Sequence, residues 1–383
     1  MEIKKKLFFV FGTRPEAIKM APLVLAAQNN NEFFVVVCVT GQHQEMLYQV
    51  LDFFGIKPDY DLKVMKPGQN LASLTANIIS KLDSVIEFEK PDLVLVHGDT
   101  TSTFTGALCA YYHQIKVCHV EAGLRTGNIY SPWPEEANRK LVAGLVDYHF
   151  SPTEIAAQNL EKEGVDRDKV VITGNTVIDA LFFVNNKISS NSDLKDKLIS
   201  QFGYLKNNSR KVLITGHRRE SFGQGFINIC EALAELSRSF PDVEFVYPVH
   251  LNPSVLKPVQ SRLSGISNVH LVDPLDYVPF VYLMSIVDIV LTDSGGVQEE
   301  APSFGKPVLV MRNNTERPEA VTAGTVKLVG NDKETIVNGV SSLLNDSNTY
   351  FQMATAVNPY GDGRACERIL SVLAGKKIVE FQG

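Results

Sequence analysis

Residues 7–23 read LFFVFGTRPEAIKMAPL, an apolar run that stops at Gly12 and continues in a helical pattern. A nearly continuous apolar run is typical of a strand that is buried on both faces, as in a parallel sheet. Gly12 permits a tight turn, and Pro15 suits the first position of a helix. The stretch therefore predicts a strand, a turn and a helix, the unit that repeats in doubly wound α/β domains.

The same alternation of strand and helix patterns continues in two series. Further apolar runs of the first series lie at 33–40, 92–98, 116–122, 148–152 and 170–175. Residues 180–210 are polar and contain no such run, and a second series extends from 211–217 to 325–330. We therefore expect two parallel-sheet domains, 1–175 and 176–363. Ligands of open parallel sheets bind at the carboxyl ends of the strands, so a cleft between the domains is expected to hold the site.

Composition excludes several classes of function. The 383 residues include 37 Lys and Arg and 43 Asp and Glu, a formal charge of −6, and this balance argues against a nucleic-acid or membrane-surface protein. No apolar stretch is long enough to span a membrane, and no signal-peptide pattern follows the first run. The 5 cysteines form no C-x-x-C pair and are interpreted as buried thiols in a reducing cytoplasm. Motifs of metalloproteases, P-loop ATPases, dinucleotide-binding enzymes and serine hydrolases are absent.

Charged residues follow strands in the first series. Arg14 stands beside a helix N-terminus and Lys19 lies in the same helix, which favours an anion site. The alternative is a capped helix with a surface arginine and a solvated lysine. Asp99, Glu121 and Glu135 stand at or after strand ends, and clustered acids near a cleft suit general acid–base catalysis. Asp99 is also compatible with a capping role for the helix that follows it.

A glycine-containing loop follows a strand in the second series, in TDSGGVQEEAPSFGKPV (292–308). Its two glycines let backbone amides approach a phosphate, and Ser294 offers a hydroxyl. Glu299 and Glu300 either bind ribose hydroxyls or favour the positive end of the helix dipole.

Two more motifs add cationic side chains. His217 lies just past a strand in TGHRRESFG (215–223), whereas His97 and His119 lie within or beside strands and are compatible with a core role. Arg317 is part of TERPEA (315–320). Together with Arg14 and Lys19, these groups can neutralise a diphosphate.

The ordered motifs resemble those of the non-hydrolysing UDP-N-acetylglucosamine 2-epimerases over residues 7–375. The motifs are FGTRPEAIKMAPL, HGDTTST, HVEAGLRTG, SPWPEEANR, TGHRRESFG, TDSGGVQEEAPSFGKPVLVMR, TERPEAVTAGT and NPYGDGRA. The resemblance implies two Rossmann-like domains in a GT-B arrangement with a cleft between them, and a C-terminal helix, about 364–383, that packs back on the first domain. It also implies an isomerase that interconverts UDP-N-acetylglucosamine and UDP-N-acetylmannosamine through 2-acetamidoglucal.

Roles for individual residues follow from the same resemblance. Asp99, Glu121 and Glu135 would be the acid/base residues, with His217 and Arg14 assisting the departing phosphate. The nucleotide would be held by Lys19, Phe280, Ser294, Gly295, Gly296, Glu300 and Arg317. Phe280 would contact the uracil, although an aromatic residue at that place is also compatible with the core.

Some family members bind a second UDP-N-acetylglucosamine as an activator. The corresponding contacts would be Gln42, His43, Glu136, Arg218 and His250. The arginine expected in the loop KPGQN (66–70) is absent from this sequence, so the resemblance does not imply strict dependence on an activator.

The resemblance implies no metal and no redox cofactor, UDP-N-acetylglucosamine and UDP as ligands, a cytoplasmic homodimer, and a product used for bacterial surface polysaccharide. Alternatives are a GT-B glycosyltransferase that uses a UDP-sugar, an epimerase for a related UDP-2-acetamido sugar, and a non-catalytic nucleotide-sugar sensor. A glycosyltransferase needs an acceptor and a single base, so three acids on the sugar side favour epimerisation.

Overall fold

The computed structural model describes residues 4–41, 44–66 and 68–383. The chain folds into two compact units. The first comprises the described residues up to Ala180 together with Tyr360–Gly383, and the second is Leu181–Pro359.

The first unit is built on a parallel sheet. Within the described residues its seven strands have the order β3-β2-β1-β4-β5-β6-β7. The strands are β1 (Lys5–Phe11), β2 (Phe33–Val39), β3 (Tyr60–Asp61), β4 (Leu93–His97), β5 (Lys116–Val120), β6 (Tyr148–Ser151) and β7 (Val170–Ile172). The helices are α1 (Arg14–Gln28), α2 (Gln44–Phe54), α3 (Leu71–Glu89), α4 (Thr101–Tyr112), α5 (Glu135–Ala143), α6 (Glu154–Lys162) and α7 (Thr176–Ser190), which continues past Ala180.

Strand β1 is the centre of this sheet and explains its topology. Leu7–Phe11 are fully buried, so both faces of the strand are covered, as the continuous apolar run predicts. One face packs on Leu74, Ile78 and Leu82 of α3. Because β1 pairs with both β2 and β4, the strand order reverses there, and the carboxyl ends of β1 and β4 flank the switch point where ligands of such sheets bind.

The second unit repeats the arrangement. Six parallel strands in its described residues have the order β10-β9-β8-β11-β12-β13. They are β8 (Lys211–Thr215), β9 (Glu244–Pro248), β10 (Val269–Val272), β11 (Ile289–Thr292), β12 (Val308–Val310) and β13 (Val326–Leu328). The helices are α8 (Ser192–Gln201), α9 (Gln224–Ser239), α10 (Pro253–Leu263), α11 (Tyr277–Ile286), α12 (Gly295–Glu300), α13 (Pro318–Thr322), α14 (Lys333–Asn345) and α15 (Ser347–Ala354). Here β8 and β11 flank the switch point.

A last helix, α16 (Ala365–Leu373), belongs to the first unit and packs on α1. The carboxylate of Asp179 in α7 accepts hydrogen bonds from the amides of Ala365 (3.2 Å) and Cys366 (2.9 Å). It therefore satisfies two of the amides that a helix N-terminus leaves open. Burial raises the pKa of Asp179, while these hydrogen bonds oppose the shift.

The predicted fold class, two Rossmann-like parallel-sheet domains, is confirmed by both sheets. In the described part of the chain, no helix is long and apolar enough to cross a membrane.

Candidate active site

The turn after β1 is organised by the buried carboxylate of Glu16. Its Oε2 accepts hydrogen bonds from the amides of Gly12 (3.0 Å) and Thr13 (2.8 Å), and Thr13 is the N-cap of α1. Its Oε1 accepts from the hydroxyls of Thr100 (2.7 Å) and Thr103 (3.2 Å), which follow β4. Burial raises the pKa of Glu16, and these hydrogen bonds oppose the rise. The Glu16 side chain thus connects the turn after β1 with the segment after β4, on the two sides of the switch point.

Gly12 is required at this turn because neighbouring side chains approach its backbone closely. A Cβ atom placed there would lie 1.9 Å from Thr40 Oγ1 and 2.5 Å from Ser102 Oγ. The predicted role of Gly12 in a tight turn therefore has a steric cause in the structure.

We expect Glu16→Ala to lower the free energy of unfolding by roughly 2–4 kcal/mol, because it leaves several buried donors without an acceptor. Thermal denaturation measures this loss. Glu45→Ala in α2 is the control, since Glu45 is exposed. Equal stability of the two variants would contradict a connecting role for Glu16.

Asp99 lies after β4 and is paired with an arginine. Arg139 of α5 donates from Nε (2.9 Å) and Nη2 (2.6 Å) to Asp99 Oδ2, and Asn138 donates to the Asp99 carbonyl (2.8 Å). Burial acts to lower the pKa of Arg139, but the carboxylates of Asp99 and Glu136 outweigh this effect and hold that pKa above its ordinary value. The N-cap of α4 is Thr100, so a capping role for Asp99 is wrong.

Glu121, directly after β5, has a left-handed backbone with φ of 64°. This conformation is uncommon outside glycine and is characteristic of functional positions. The carboxylate accepts hydrogen bonds from the ammonium of Lys19 and, over 2.7 Å, from Asn175 Nδ2. Lys19 therefore faces an acid and is not the solvated lysine of the alternative interpretation.

His97 and His119 lie beside these acids. His97 Nε2 is 3.9 Å from Glu121 Oε2, and neither ring nitrogen of His97 has a hydrogen-bond partner among the described residues. His119 forms a 2.7 Å hydrogen bond with the Gly98 carbonyl. Burial lowers the pKa of His97 to about 3 and of His119 to about 4, so both rings are neutral near pH 7. His119 fits a core role, whereas His97 borders the site.

Glu135 and Glu136 begin α5 and differ in exposure. Glu135 is half-buried. Glu136 is fully buried and accepts hydrogen bonds from the amides of Thr126 (3.1 Å) and Gly127 (3.2 Å) and from Arg139 (2.9 Å). Glu136 thus holds the loop after β5 in place, and its contact with an activator stays a prediction.

Arg14 is the first residue of α1 and is half-buried. Thr13 and Glu16 form a capping box, as the capped-helix alternative requires. Across residues 4–41, 44–66 and 68–383, no hydrogen bond or ion pair engages its guanidinium. The cation is therefore available at the switch point.

At the switch point of the second unit, His217 and Arg218 follow β8 and Asp293 follows β11. The amides of His217 and Arg218 donate to Asp293 Oδ2 over 2.7 and 2.8 Å. The His217 ring stacks on His250, with centroids 5.5 Å apart and an interplanar angle of 17°. Burial lowers the pKa of His217, Asp293 opposes this shift, and His250 and Arg218 add to it.

The segment Ser294–Gly296, which begins α12, follows Asp293 and lies near Arg317. A Cβ atom on Gly295 would lie 3.0 Å from Glu316 Oε1 and 3.5 Å from Arg317 Cζ, whereas Gly296 borders open space. The loop therefore brings its backbone close to a guanidinium, as expected for a phosphate-binding segment.

Glu299 and Glu300 close the short helix α12 and are buried. They are its fifth and sixth residues and lie outside the first turn, so the alternative that they favour the positive end of the helix dipole is wrong. Glu299 Oε1 accepts a 2.7 Å hydrogen bond from Arg317 Nε, and Glu300 Oε1 accepts one of 2.9 Å from Tyr277. Glu299 orients Arg317, and Tyr277 orients the carboxylate of Glu300.

The Glu316 carboxylate lies close to several arginines around the start of α12. It lies 2.6 Å from Arg312, 3.5 Å from Arg218 and 3.5 Å from Arg317. Although burial opposes the shift, Arg317 and Arg312 hold the pKa of Glu316 below its ordinary value. Sequence patterns alone did not single out Glu16, Arg139, Asp293 or Glu316.

The other predicted residues lie in the second unit or outside the described residues. Phe280 lies in α11 and is half-buried. His250 follows β9 and is exposed apart from its stacking on His217. Gln42 and His43 lie outside the described residues. Among the described residues, no group of three or more His, Cys, Asp and Glu side chains is placed to hold a metal ion.

Acids and cations at the switch points of two parallel sheets define a two-domain Rossmann-like enzyme for a polar small molecule. The family model described as UDP-N-acetylglucosamine 2-epimerase matches residues 25–374. The chain is 57% identical to the UDP-N-acetylglucosamine 2-epimerase of Yersinia pestis, covering 97% of this chain and 99% of the relative. The chain therefore belongs to the UDP-N-acetylglucosamine 2-epimerase family.

Solved structures agree with this assignment. The Neisseria meningitidis UDP-GlcNAc 2-epimerase bound to UDP-GlcNAc has 53% identity and a TM-score of 0.89, covering 97% of this chain and 100% of that one. The Methanocaldococcus jannaschii enzyme in complex with UDP-GlcNAc and UDP has 32% identity and a TM-score of 0.79, covering 97% and 99%. These similarities support the GT-B class predicted from the motifs.

Proposed function

We propose that the protein interconverts UDP-N-acetylglucosamine and UDP-N-acetylmannosamine. The observation that carries this proposal is the placement of Asp99 and Glu121 after β4 and β5 of one sheet, in a chain of this epimerase family. Two acids at one edge suit removal and return of a proton on a sugar carbon.

In the proposed reaction, a carboxylate removes the proton at the second carbon of the sugar. The electron pair forms the double bond of 2-acetamidoglucal, and the bond from the first carbon to the phosphate oxygen breaks with its electrons on UDP. UDP then adds back to the first carbon as a proton is delivered to the other face of the second carbon. Asp99, Glu121 and Glu135 are the groups proposed to carry these protons.

The environments of Asp99 and Glu121 differ. Asp99 accepts two hydrogen bonds from Arg139. Glu121 Oε2 accepts hydrogen bonds from Lys19 and Asn175 in a nearly buried place. Both carboxylates are thus held in a defined orientation, as proton transfer by a positioned side chain requires.

The second unit is proposed to hold the nucleotide. Ser294, Gly295 and Gly296 would approach the phosphates, Glu300 the ribose and Phe280 the uracil. Arg317 and His217 would face the charge that develops as UDP leaves, with Arg14 and Lys19 contributed by the first unit. Arg218 and His250 are retained as candidate activator contacts.

Three broader expectations belong to the same proposal. We propose a homodimer, a cytoplasmic location, and use of the product in bacterial surface polysaccharide. Membership of the UDP-N-acetylglucosamine 2-epimerase family is what supports them.

Proton NMR in deuterated water with UDP-N-acetylglucosamine as the only substrate tests the activity. We expect the UDP-N-acetylmannosamine signals to appear with deuterium at the second carbon, because base-catalysed cleavage exchanges that proton with solvent. Product that keeps its original proton would contradict the elimination mechanism. Absence of product without an added acceptor would favour the glycosyltransferase alternative.

A further inference from the structure

Asp293 is fully buried and directly follows β11 at the switch point of the second unit. Its Oδ2 already accepts the amide hydrogens of His217 and Arg218. Its Oδ1 is buried and has no hydrogen-bond partner among the described residues. A buried carboxylate oxygen without a donor is costly, so a nearby N–H is expected to face it.

The nearest candidate is the imidazole of His217. Its Nδ1 lies 3.6 Å from Asp293 Oδ1, slightly beyond hydrogen-bond distance. The ring is confined from another side by the stacked His250. A small rotation of the ring therefore brings Nδ1 within reach of Oδ1 without moving the backbone, which Asp293 Oδ2 already fixes.

We propose that Asp293 is a positioning residue that keeps the His217 proton on Nδ1 and leaves Nε2 as the nitrogen available to a ligand. In a neutral histidine, a carboxylate facing one ring nitrogen favours the proton on that nitrogen and leaves the other nitrogen as an acceptor. When this ring takes up a second proton, at Nε2, the imidazolium can donate that proton to the oxygen of a departing phosphate while Nδ1–H stays directed at Asp293. The kinetic consequence rests on the proposed function, whereas the tautomer itself does not.

Other charged or titratable groups also surround the His217 ring. Arg218 lies on the same loop and reaches toward Glu316, and His250 faces the ring from the segment after β9. The Tyr247 hydroxyl of β9 donates to the Gly216 carbonyl over 3.0 Å. Among these described groups, Asp293 is the carboxylate within 4 Å of the ring nitrogens.

Nitrogen NMR of histidine-labelled full-length protein tests the tautomer without substrate, with His217→Gln used to assign the signal. We expect the wild-type ring to be protonated on Nδ1 at a pH where it is neutral. In Asp293→Asn, the amide oxygen can keep the two backbone contacts while the amide NH₂ donates to Nδ1, so the proton should move to Nε2. A wild-type ring protonated on Nε2 would overturn the proposal, even if the variant did not fold.

Asp288→Asn is the matched control. The Asp288 carboxylate accepts a 2.7 Å hydrogen bond from the Lys211 amide at the start of β8, much as Asp293 accepts hydrogen bonds from amides after the end of β8. The contact of Asp288 involves no imidazole. We expect Asp288→Asn to leave the His217 tautomer unchanged. A tautomer change in both variants would mean that a general loosening of β8 is the cause, and it would overturn the proposal.

Kinetics provide a second, independent readout. Asp293→Asn should lower turnover on the order of 10-fold to 100-fold, which is less than the loss expected for removing a proton-transfer group. In a protein that already carries His217→Gln, adding Asp293→Asn should lower turnover little further. Because Asp293 opposes the lowering of the His217 pKa, its loss should move the His217 limb of the pH profile to lower pH. Equal losses in the wild-type and His217→Gln backgrounds would overturn the proposal.

Discussion

Glu121→Gln is expected to lower turnover by roughly 10²-fold to 10⁴-fold, because an amide can neither accept nor return the proton of the sugar. The substitution keeps the size of the side chain. It also keeps one oxygen that can accept the hydrogen bond from Asn175 Nδ2, which is 2.7 Å from Glu121 Oε2 in the wild-type protein. UDP affinity should therefore change little. Turnover is measured by NMR in ordinary water, and UDP affinity by calorimetry.

Glu89→Gln is the matched control for this substitution. Glu89 pairs with Lys6 over 3.1 Å and accepts from the Tyr60 hydroxyl, away from the carboxyl ends of the strands. It should leave turnover unchanged. Near-normal turnover in Glu121→Gln would remove Glu121 from the acid/base residues and leave Asp99 and Glu135 as the candidates.

Arg317→Ala is expected to weaken UDP binding by roughly 10-fold to 100-fold, as is usual for loss of a charged hydrogen bond to phosphate. It should also lower the free energy of unfolding by about 3 kcal/mol, because Glu299, only 1% exposed, loses the guanidinium 2.7 Å away. Calorimetry with UDP and thermal denaturation measure the two effects separately.

The double variant Arg317→Ala with Glu299→Gln separates nucleotide binding from stability. Removing the buried charge should restore most of the stability, whereas UDP affinity should stay low. Arg262→Ala, on an exposed part of α10, is the control for loss of an arginine from the second unit. Recovery of UDP affinity in the double variant would show that Arg317 acts only through the fold.

Local patterns predicted the sheets well because burial on both faces leaves a direct trace in sequence. The run that forms β1 is apolar at every position from Leu7 to Phe11, and each of these residues is fully buried. The turn residues Gly12 and Pro15 could also be identified from the sequence, because the backbone conformation at a turn or a helix start restricts the residue type locally.

Pairs that join distant parts of the chain could not be predicted in this way. Nothing in the sequence spacing indicates that Arg139 pairs with Asp99 or that Lys19 contacts Glu121, because the packing of separate strands and helices creates these contacts. Glu16 did have a local signal that the sequence analysis passed over, since Thr13 followed three residues later by Glu16 is a recognisable helix start. Asp293 also had a signal, an acid at the end of an apolar strand.

The attachment of α16 to Asp179 has a consequence for the timing of biosynthesis. The ribosome makes Asp179 before all of Leu181–Pro359, while the amides that its carboxylate accepts, at Ala365 and Cys366, come after that segment. At about 5–20 residues per second, the wait is on the order of 10 s or more. The N-terminal unit therefore exposes the surface of α1 that α16 covers until α16 itself has been synthesised, and chaperones can bind this nascent surface during that interval.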